Sequence, residues 1–340
     1  MTAYGVEGAL THGTIAMRNL EAQIDGLAPR TTLQPAFVEE RVRLIDLLTL
    51  RGSILGTIAD YERALKLAQQ LVRKAPADAV AFLTRARARS LFHLFADALD
   101  DLEVAERLGV DAEVLKLERA AVFQAVGRYA EAYAIREEAA QRAQSFESLG
   151  ALSSLCAESG SLERAVDLHR ESQRRYRGTS PLPLAVLEFQ IGVMWMHNGE
   201  LDRARNCLSA ACRYVPAHAP AQGHLGEVEA ELGNIETAIA LLRPLAMSSD
   251  DPDYAAQLAR ILLVSGSAED SQYWRKRAAA RHEELETLHP EAFADHAAEF
   301  WLGVGADPKR ALRLARINFA IRKTPRARAL LSCAVAAQTD

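Results

Sequence analysis

The sequence is poor in cysteine, and its few thiols are scattered. Its 340 residues include four cysteines, at positions 156, 207, 212 and 333. Cys207 and Cys212 lie five residues apart on one predicted helix, so their side chains point about 140° apart and are badly placed for a disulfide. We therefore expect four reduced thiols and a cytoplasmic protein.

Long apolar runs and an excess of one charge are also missing. The first thirty residues have neither an early basic patch nor an apolar core of seven residues, so we expect no signal peptide. No run of 18 apolar residues exists, so we expect no membrane span. The net charge is -5, with 49% hydrophobic and 25% charged residues, which is an ordinary globular composition. Because no basic field would attract phosphates, we expect no nucleic-acid partner.

The common catalytic motifs are absent as well. The chain has no Gly-x-Ser-x-Gly, no P-loop and no His-Glu-x-x-His. A zinc site could be imagined from Cys207, Cys212, His218 and His224, but these residues do not have the spacing of known zinc ligands. We therefore expect no catalysis, no cofactor and no bound metal.

What the sequence does contain is a repeated unit. Gly, a large apolar residue and Ala recur in the pattern Gly-x-(apolar)-x-x-Ala, for example from Gly199 through Leu201 to Ala204. The alanine recurs at steps of 34, 34, 33, 39 and 34, followed by steps of 33 and 40 to the two weaker last units. The marker positions are Ala64, Ala98, Ala132, Ala165, Ala204, Ala238, Ser271 and Ala311.

Each unit predicts a pair of amphipathic helices. Apolar residues at i, i+3, i+4 and i+7 precede and follow a glycine-centred break. Glycine is expected where a helix ends, because it accepts a positive φ. Pro76, Pro216 and Pro290 come where second helices should end. The marker alanine would then lie where the two helices cross, because a small side chain lets the helix axes approach to about 8–10 Å.

These features resemble the tetratricopeptide repeat family, whose unit of 34 residues carries W-x2-L-G-x2-Y, then A-x3-F, then P. The likeness covers roughly residues 40–325. In the fifth unit the matching residues are Ile191, Gly192, Trp195, Ala204, Leu208 and Pro216, and in the sixth they are Leu225, Gly226, Ala238 and Leu242. The resemblance implies an all-α fold, a right-handed α-α superhelix of about eight helical hairpins.

The resemblance also suggests how the chain is divided. We expect an N-terminal segment with a capping helix over residues 1–36, the solenoid over 37–325 and a C-terminal capping helix over 326–340. The capping helices are predicted near residues 12–26 and 325–337. Long linkers at 175–186 and 286–296 would explain the steps of 39 and 40, and the units around Ser271 and Ala311 match the family pattern least well.

Three arginines recur 34 residues apart, at positions 51, 85 and 119. Such a ladder could bind anions. The simpler interpretation is that each arginine faces its partner helix, where a carboxylate such as that of Asp100 or Asp101 would pair with it.

The function that the resemblance implies is binding of a protein or peptide segment in the concave groove of the solenoid. The family's groove positions on the first helices predict an apolar region followed by a charged one. The candidate ligand-binding residues are Phe189, Val193, Met196, His197, Glu227, Glu231, Arg260, His296 and Phe300. The expected ligand is a segment with an apolar anchor followed by basic residues.

Two alternatives remain open at this point. The chain could instead be a structural subunit or an accessory protein of an enzyme complex that uses its ends and convex face, and its oligomeric state is not predicted. The family's co-chaperone type grips a C-terminal carboxylate with lysine and asparagine side chains. Here Thr49 and Ser53 occupy two of the corresponding positions, so we do not expect that mode.

Overall fold

The computed structural model describes residues 10–33 and 38–338, and every regular element in these ranges is an α-helix. The helices are α1 (Gly13–Leu33), α2 (Val38–Leu55), α3 (Ile58–Lys74), α4 (Ala79–Leu91), α5 (Phe95–Arg107), α6 (Ala112–Val126), α7 (Tyr129–Arg142), α8 (Phe146–Glu158), α9 (Leu162–Arg175), α10 (Leu182–His197), α11 (Leu201–Tyr214), α12 (Ala219–Glu231), α13 (Ile235–Ser248), α14 (Pro252–Val264), α15 (Ala268–Leu288), α16 (Ala294–Leu302), α17 (Pro308–Ile321) and α18 (Pro325–Ala336).

The helices pack in sequence as antiparallel pairs. Helices α2 to α17 form eight consecutive hairpins, each packed on the next, which confirms the predicted all-α solenoid. Helix α1 packs on α2, and α18 packs on α16 and α17 in the position of a further first helix. Helix α1 runs seven residues beyond the stretch expected from the sequence, to Leu33.

The marker residue has the role that its periodicity predicted. Ala132, Ala204 and Ala238 have no exposed surface, and each is the fourth residue of its second helix. A glycine on the first helix lies opposite: a Cβ added to Gly226 would come within 2.8 Å of the Leu242 side chain. Small residues on both helices therefore set the close approach within the hairpin.

Most hairpin corners use a glycine with positive φ, such as Gly127 at +87°. The corner between α4 and α5 instead uses His93 at φ +56°, a conformation that costs a side chain some strain. The His93 Nδ1 atom lies 3.0 Å from the carbonyl oxygen of Glu291, nearly two hundred residues away in the chain. The histidine therefore replaces the usual glycine where the corner meets another part of the solenoid.

The two long spacings between marker residues, of 39 and 40 positions, have different origins. The first comes from a loop at residues 176–181, between α9 and α10, as expected. The second was assigned to a long linker at 286–296, and this is wrong. Helix α15 has 21 residues where most second helices have 14 or so, and it continues to Leu288 before Pro290 ends it.

The solenoid closes on itself, so that early hairpin corners touch late linkers. The Asp250 carboxylate accepts the backbone N–H groups of Ile58 and Ala59, both at 2.8 Å, and so caps α3 from 192 residues away. The Ser249 hydroxyl donates to the carbonyl of Gly56 at 2.6 Å. These bonds join the first hairpin to the linker between α13 and α14.

Two further junctions follow along the same line. His289 Nε2 lies 3.0 Å from the Glu62 carboxylate, and its ring packs on Phe92 at 4.4 Å. The backbone N–H of Lys323 donates to the carbonyl of Val126 at 3.0 Å. Most contacts of these junctions join residues 191 to 198 positions apart, and the Glu62–His289 pair joins residues 227 positions apart. One superhelical turn therefore takes between five and six hairpins. We call these three junctions the cross-coil seam.

Two general expectations can be compared with the structure. Over residues 10–33 and 38–338, no helix is both long and apolar enough to cross a bilayer. Cys156 is buried, Cys207 and Cys212 are partly buried, Cys333 is exposed, and all four are free thiols.

Candidate functional site

The concave face of the superhelix contains a cavity of about 670 Å³. Three successive first helices, α6, α8 and α10, form its walls. Leu50 from α2 and Arg322 from the end of α17 complete it, although these residues belong to opposite ends of the solenoid. Closure of the superhelix therefore completes the cavity.

One part of the cavity is apolar. Phe146 at the start of α8 and Leu182 and Val186 at the start of α10 line it together with Leu50. Gly150 lies between them on α8, and a Cβ there would come within 3.3 Å of the Leu187 side chain. The small residue lets the two first helices approach and leaves room for an apolar group of a ligand.

The other part is polar and contains unsatisfied groups. Gln124 of α6 is only 7% exposed, and its side-chain N–H donates to Glu158 at 2.6 Å and to Ser154 at 3.3 Å. Its Oε1 atom has no hydrogen-bond partner within the described protein. Because the carboxylate can only accept, the bond to Glu158 fixes the orientation of the amide.

Arg136 reaches the same region from the second helix α7. Its Nε atom is buried without a hydrogen-bond partner in the described residues, and burial lowers the pKa of its guanidinium. Burial also raises the pKa of Glu158, which the bond from Gln124 and the nearby Arg322 and Arg136 partly oppose. The guanidinium of Arg136 and the carboxylate of Glu158 attract each other electrostatically.

Arg322 connects this wall with the far end of the chain. Its Nε atom donates to the carbonyl of Ala125 at 3.2 Å, and one terminal nitrogen donates to the Asp295 carboxylate at 2.9 Å. The side chain is thus held in place across the cross-coil seam, and its charge is already balanced by Asp295.

Comparisons with known proteins agree on the kind of fold. A sequence model described as Tetratricopeptide repeat matches residues 196–261, whereas no curated protein matches the chain. A human IFIT1 dimer with m7Gppp-AAAA has a TM-score of 0.56 at 16% identity, covering 93% of this chain and 77% of that one. A human IFIT1 dimer with PPP-AAAA has a TM-score of 0.55 at 16% identity, covering 89% of this chain and 73% of that one. The APC/C hetero-tetramer Cut9–Hcn1 has a TM-score of 0.50 at 16% identity, covering 93% of this chain and 55% of that one.

Residues 196–261 are tetratricopeptide repeats, and the rest of the solenoid has the same architecture of helical hairpins. Its eight hairpins are the repeats, and proteins built from such repeats typically serve as non-catalytic scaffolds for protein–protein interaction. The likeness to IFIT1 and Cut9–Hcn1 concerns the fold, since fold and function separate readily at this level of identity.

The repeat places the four candidates of α10 on two different faces. Val193 and His197 continue the line of Val186 along the concave face. Phe189 and Met196 instead pack toward α11 and α12. The Phe189 ring lies 5.3 Å from that of His218 and 5.6 Å from that of His224, so Phe189 serves mainly the contact between repeats.

The acidic candidates of α12 are separated too. The Glu227 carboxylate already accepts from His224 Nδ1 at 2.9 Å and lies 3.5 Å from an Arg260 nitrogen on the next repeat. Glu231 is exposed one turn further on. Glu227 therefore already has two partners within the protein.

The last two candidates, both on α16, also differ. His296 is half-exposed and pairs through Nδ1 with Asp253, whose carboxylate holds the pKa of His296 above its ordinary value. Phe300 is only 4% exposed and packs against His282 and Trp301 in the core. The prediction that Phe300 lines the groove is wrong, because α16 turns this side chain into the core.

The first two arginines of the ladder have structural roles. Arg51 pairs with Asp60 through bonds of 2.6 and 2.7 Å, and Arg85 pairs in the same two-pronged way with the buried Asp101. Arg119 bonds to Glu106. The first two pairs confirm the simpler interpretation, in which the arginine faces the partner helix of its own hairpin, whereas Arg119 of α6 reaches α5 of the preceding hairpin. In the described residues, no cluster of three His, Cys, Asp or Glu side chains could hold a metal ion.

Sequence analysis missed the polar wall of the cavity. Ala121, Gln124, Ser154 and Glu158 occupy the family's groove positions in the third and fourth repeats, so the positional rule would have found them had it been applied there. Arg136 carries no such signal because it lies on a second helix. Arg322 carries no such signal either, because closure of the superhelix decides which residues lie next to it.

Proposed function

We propose that the protein is a non-catalytic scaffold that binds a segment of another protein along the concave face of its superhelix. The observation that carries this proposal is the cavity of about 670 Å³ on that face, where an apolar wall adjoins polar groups that lack partners. Ligand pockets usually measure about 300–1,000 Å³ and combine a largely apolar lining with a few polar groups that orient the ligand.

The charges further along the concave face favour an uncharged segment there. Carboxylates and cations pair with each other between successive first helices, as Glu227 does with Arg260 and Glu299 with Arg326. Such a surface offers neither a net positive nor a net negative field. A segment with an apolar anchor fits this surface. The sequence also predicted basic residues in the ligand, but the main support for them was Glu227, which is paired with Arg260.

Site-specific photocrosslinking tests this proposal. A photoreactive amino acid in place of Val193, on the concave line of α10, should capture a partner polypeptide in the native cell. The control is the same amino acid in place of Asp202, which is exposed on the second helix of the same hairpin. Capture from position 202 with none from position 193 would overturn concave binding.

The convex face supports a second candidate, assembly with itself or with an enzyme complex. Ile239, Pro244 and Met247 line a hollow on α13, and Met247 is 63% exposed. Exposed apolar patches often mark protein contacts. Light scattering over a hundredfold range of concentration decides between the two: a groove-binding scaffold stays monomeric, and an assembly subunit grows in mass unless Met247→Glu removes the contact.

A further inference from the structure

The polar end of the cavity presents a specific set of hydrogen-bonding groups. Gln124 Oε1 is a buried acceptor without a partner, and Glu158 has one carboxylate oxygen beyond the one that Gln124 engages. Arg136 Nε is a buried donor without a partner. A buried polar group that is left unpaired destabilises the empty site. A ligand that pairs with Gln124 Oε1 and Arg136 Nε therefore gains binding energy from both, and the exposed Glu158 carboxylate is a further acceptor beside them.

Two acceptors beside one donor restrict the chemistry of the ligand. A primary amide offers two N–H groups and an oxygen, but it has no positive charge to balance the Glu158 carboxylate. A carboxylate would face two acceptor oxygens and be repelled. An internal peptide group has a single N–H, which can satisfy only one of the acceptors. A lysine ammonium has enough N–H groups, but it carries no oxygen close by for Arg136. An α-ammonium group has three N–H donors, and a carbonyl oxygen follows directly on the neighbouring carbon.

We propose that Gln124, Glu158 and Arg136 bind an α-ammonium group together with the neighbouring carbonyl oxygen, as found at the N-terminus of a peptide. Gln124 Oε1 and Glu158 accept from the ammonium, and Arg136 donates to the carbonyl oxygen. The first side chain of the ligand then lies against Phe146, Leu182 and Val186, so it is apolar.

This inference rests on the proposed function and names which end of a partner enters the cavity. A free amino acid offers the same ammonium and oxygen, so the two sources have to be separated by experiment. The remaining chain of a peptide would leave along the concave line toward Val193, where the photocrosslinking test is placed.

The test uses the full-length protein and two libraries of hexapeptides. Each library has leucine or phenylalanine first and five random positions, and one library is N-acetylated. The peptides retained by the immobilised protein are counted by mass spectrometry. We expect the free N-termini to be enriched at least tenfold over the acetylated ones, because acetylation removes the charge and two of the three donors.

Two variants link this result to the cavity. Glu158→Gln keeps size and shape but removes the carboxylate, so it should abolish the preference for free N-termini. Glu163→Gln is the matched control, because Glu163 is exposed on the second helix α9 and should leave the preference unchanged. Equal retention of acetylated peptides, or a Glu158→Gln variant that behaves like the parent, would overturn the inference.

The last arm separates the two sources and the two proposals. If free leucine or phenylalanine displaces the peptides at equal concentration, the ligand of the site is an amino acid. If crosslinking from position 193 then also fails, that failure removes only the proposed scaffold function. If a partner is captured at position 193 but acetylated peptides bind equally well, the scaffold function stands and the N-terminal site falls.

Discussion

Lowering the pH should weaken the sixth repeat through one histidine. His218 is 1% exposed, and its Nδ1 atom accepts the N–H of Ala221 at 3.2 Å, which caps the N-terminus of α12. The Nε2 atom is buried without a partner among the described residues. Burial lowers the pKa of His218 to about 4. A proton on Nδ1 would remove the acceptor and place a positive charge at the positive end of the helix dipole.

The sign and size of the effect follow from proton linkage. Because the folded pKa lies below the unfolded one, the unfolded chain binds more protons between pH 6.5 and 4. The contribution of His218 to stability is therefore complete above about pH 6.5 and is lost as the pH falls toward 4. Going from pH 7.5 to pH 5 should remove about 2 kcal/mol of unfolding free energy through this residue alone.

Urea unfolding at pH 7.5 and pH 5 measures this loss. His218→Asn keeps a side-chain oxygen that can cap the helix but does not titrate. His218→Asn also loses packing against Phe189, but the resulting loss of unfolding free energy is the same at both pH values and cancels in the difference. The pH-dependent loss of stability should therefore be about 2 kcal/mol smaller in His218→Asn than in the parent.

His12→Asn provides the control. His12 also accepts a backbone N–H near a helix start, from Thr14 at 3.3 Å, but it is exposed. This variant should lose as much stability as the parent between the two pH values. If His218→Asn also loses as much as the parent, then His218 is not a buried neutral histidine and the reasoning fails.

Two further predictions concern the repeats themselves. Ala132→Leu and Ala238→Leu should each lower the unfolding free energy by about 1–3 kcal/mol, because a large side chain forces the helices of a tightly packed hairpin apart; melting temperatures within a degree of the parent would contradict this. Asp101→Asn should cost about 3 kcal/mol in urea unfolding, since the 3% exposed carboxylate balances both Arg85 and Arg89. Restoration of stability by replacing the two arginines with methionine would show that the loss comes from their unpaired charges.

The sequence was most informative wherever the contacts are local. The crossing of two helices in a hairpin depends on residues within one unit of about 34 positions. The small residues at Ala238 and Gly226 and the corner glycine at Gly127 therefore predicted the hairpins correctly. The extra residues near Pro290 were misplaced, because an extended helix and a longer loop give the same spacing between markers.

The concave face could be predicted only in part. Val193 and His197 share a helix face with Val186, which lines the cavity, because the period of 3.6 residues fixes which residues of α10 lie on one face. Phe300 was misassigned, because its ring packs against those of His282 and Trp301 in the core.

The sequence by itself determined the repeats, their number and the small residues that hold each hairpin together, since each of these depends on neighbours in the chain. Only the tertiary structure decided how far the superhelix turns per repeat. That angle is the sum of small rotations between repeats, and its accumulated value brings Arg322 to Ala125 and Asp250 to the start of α3. Leu50 and Arg322 reach the cavity through this closure, so no periodicity in the sequence could have placed these two residues there.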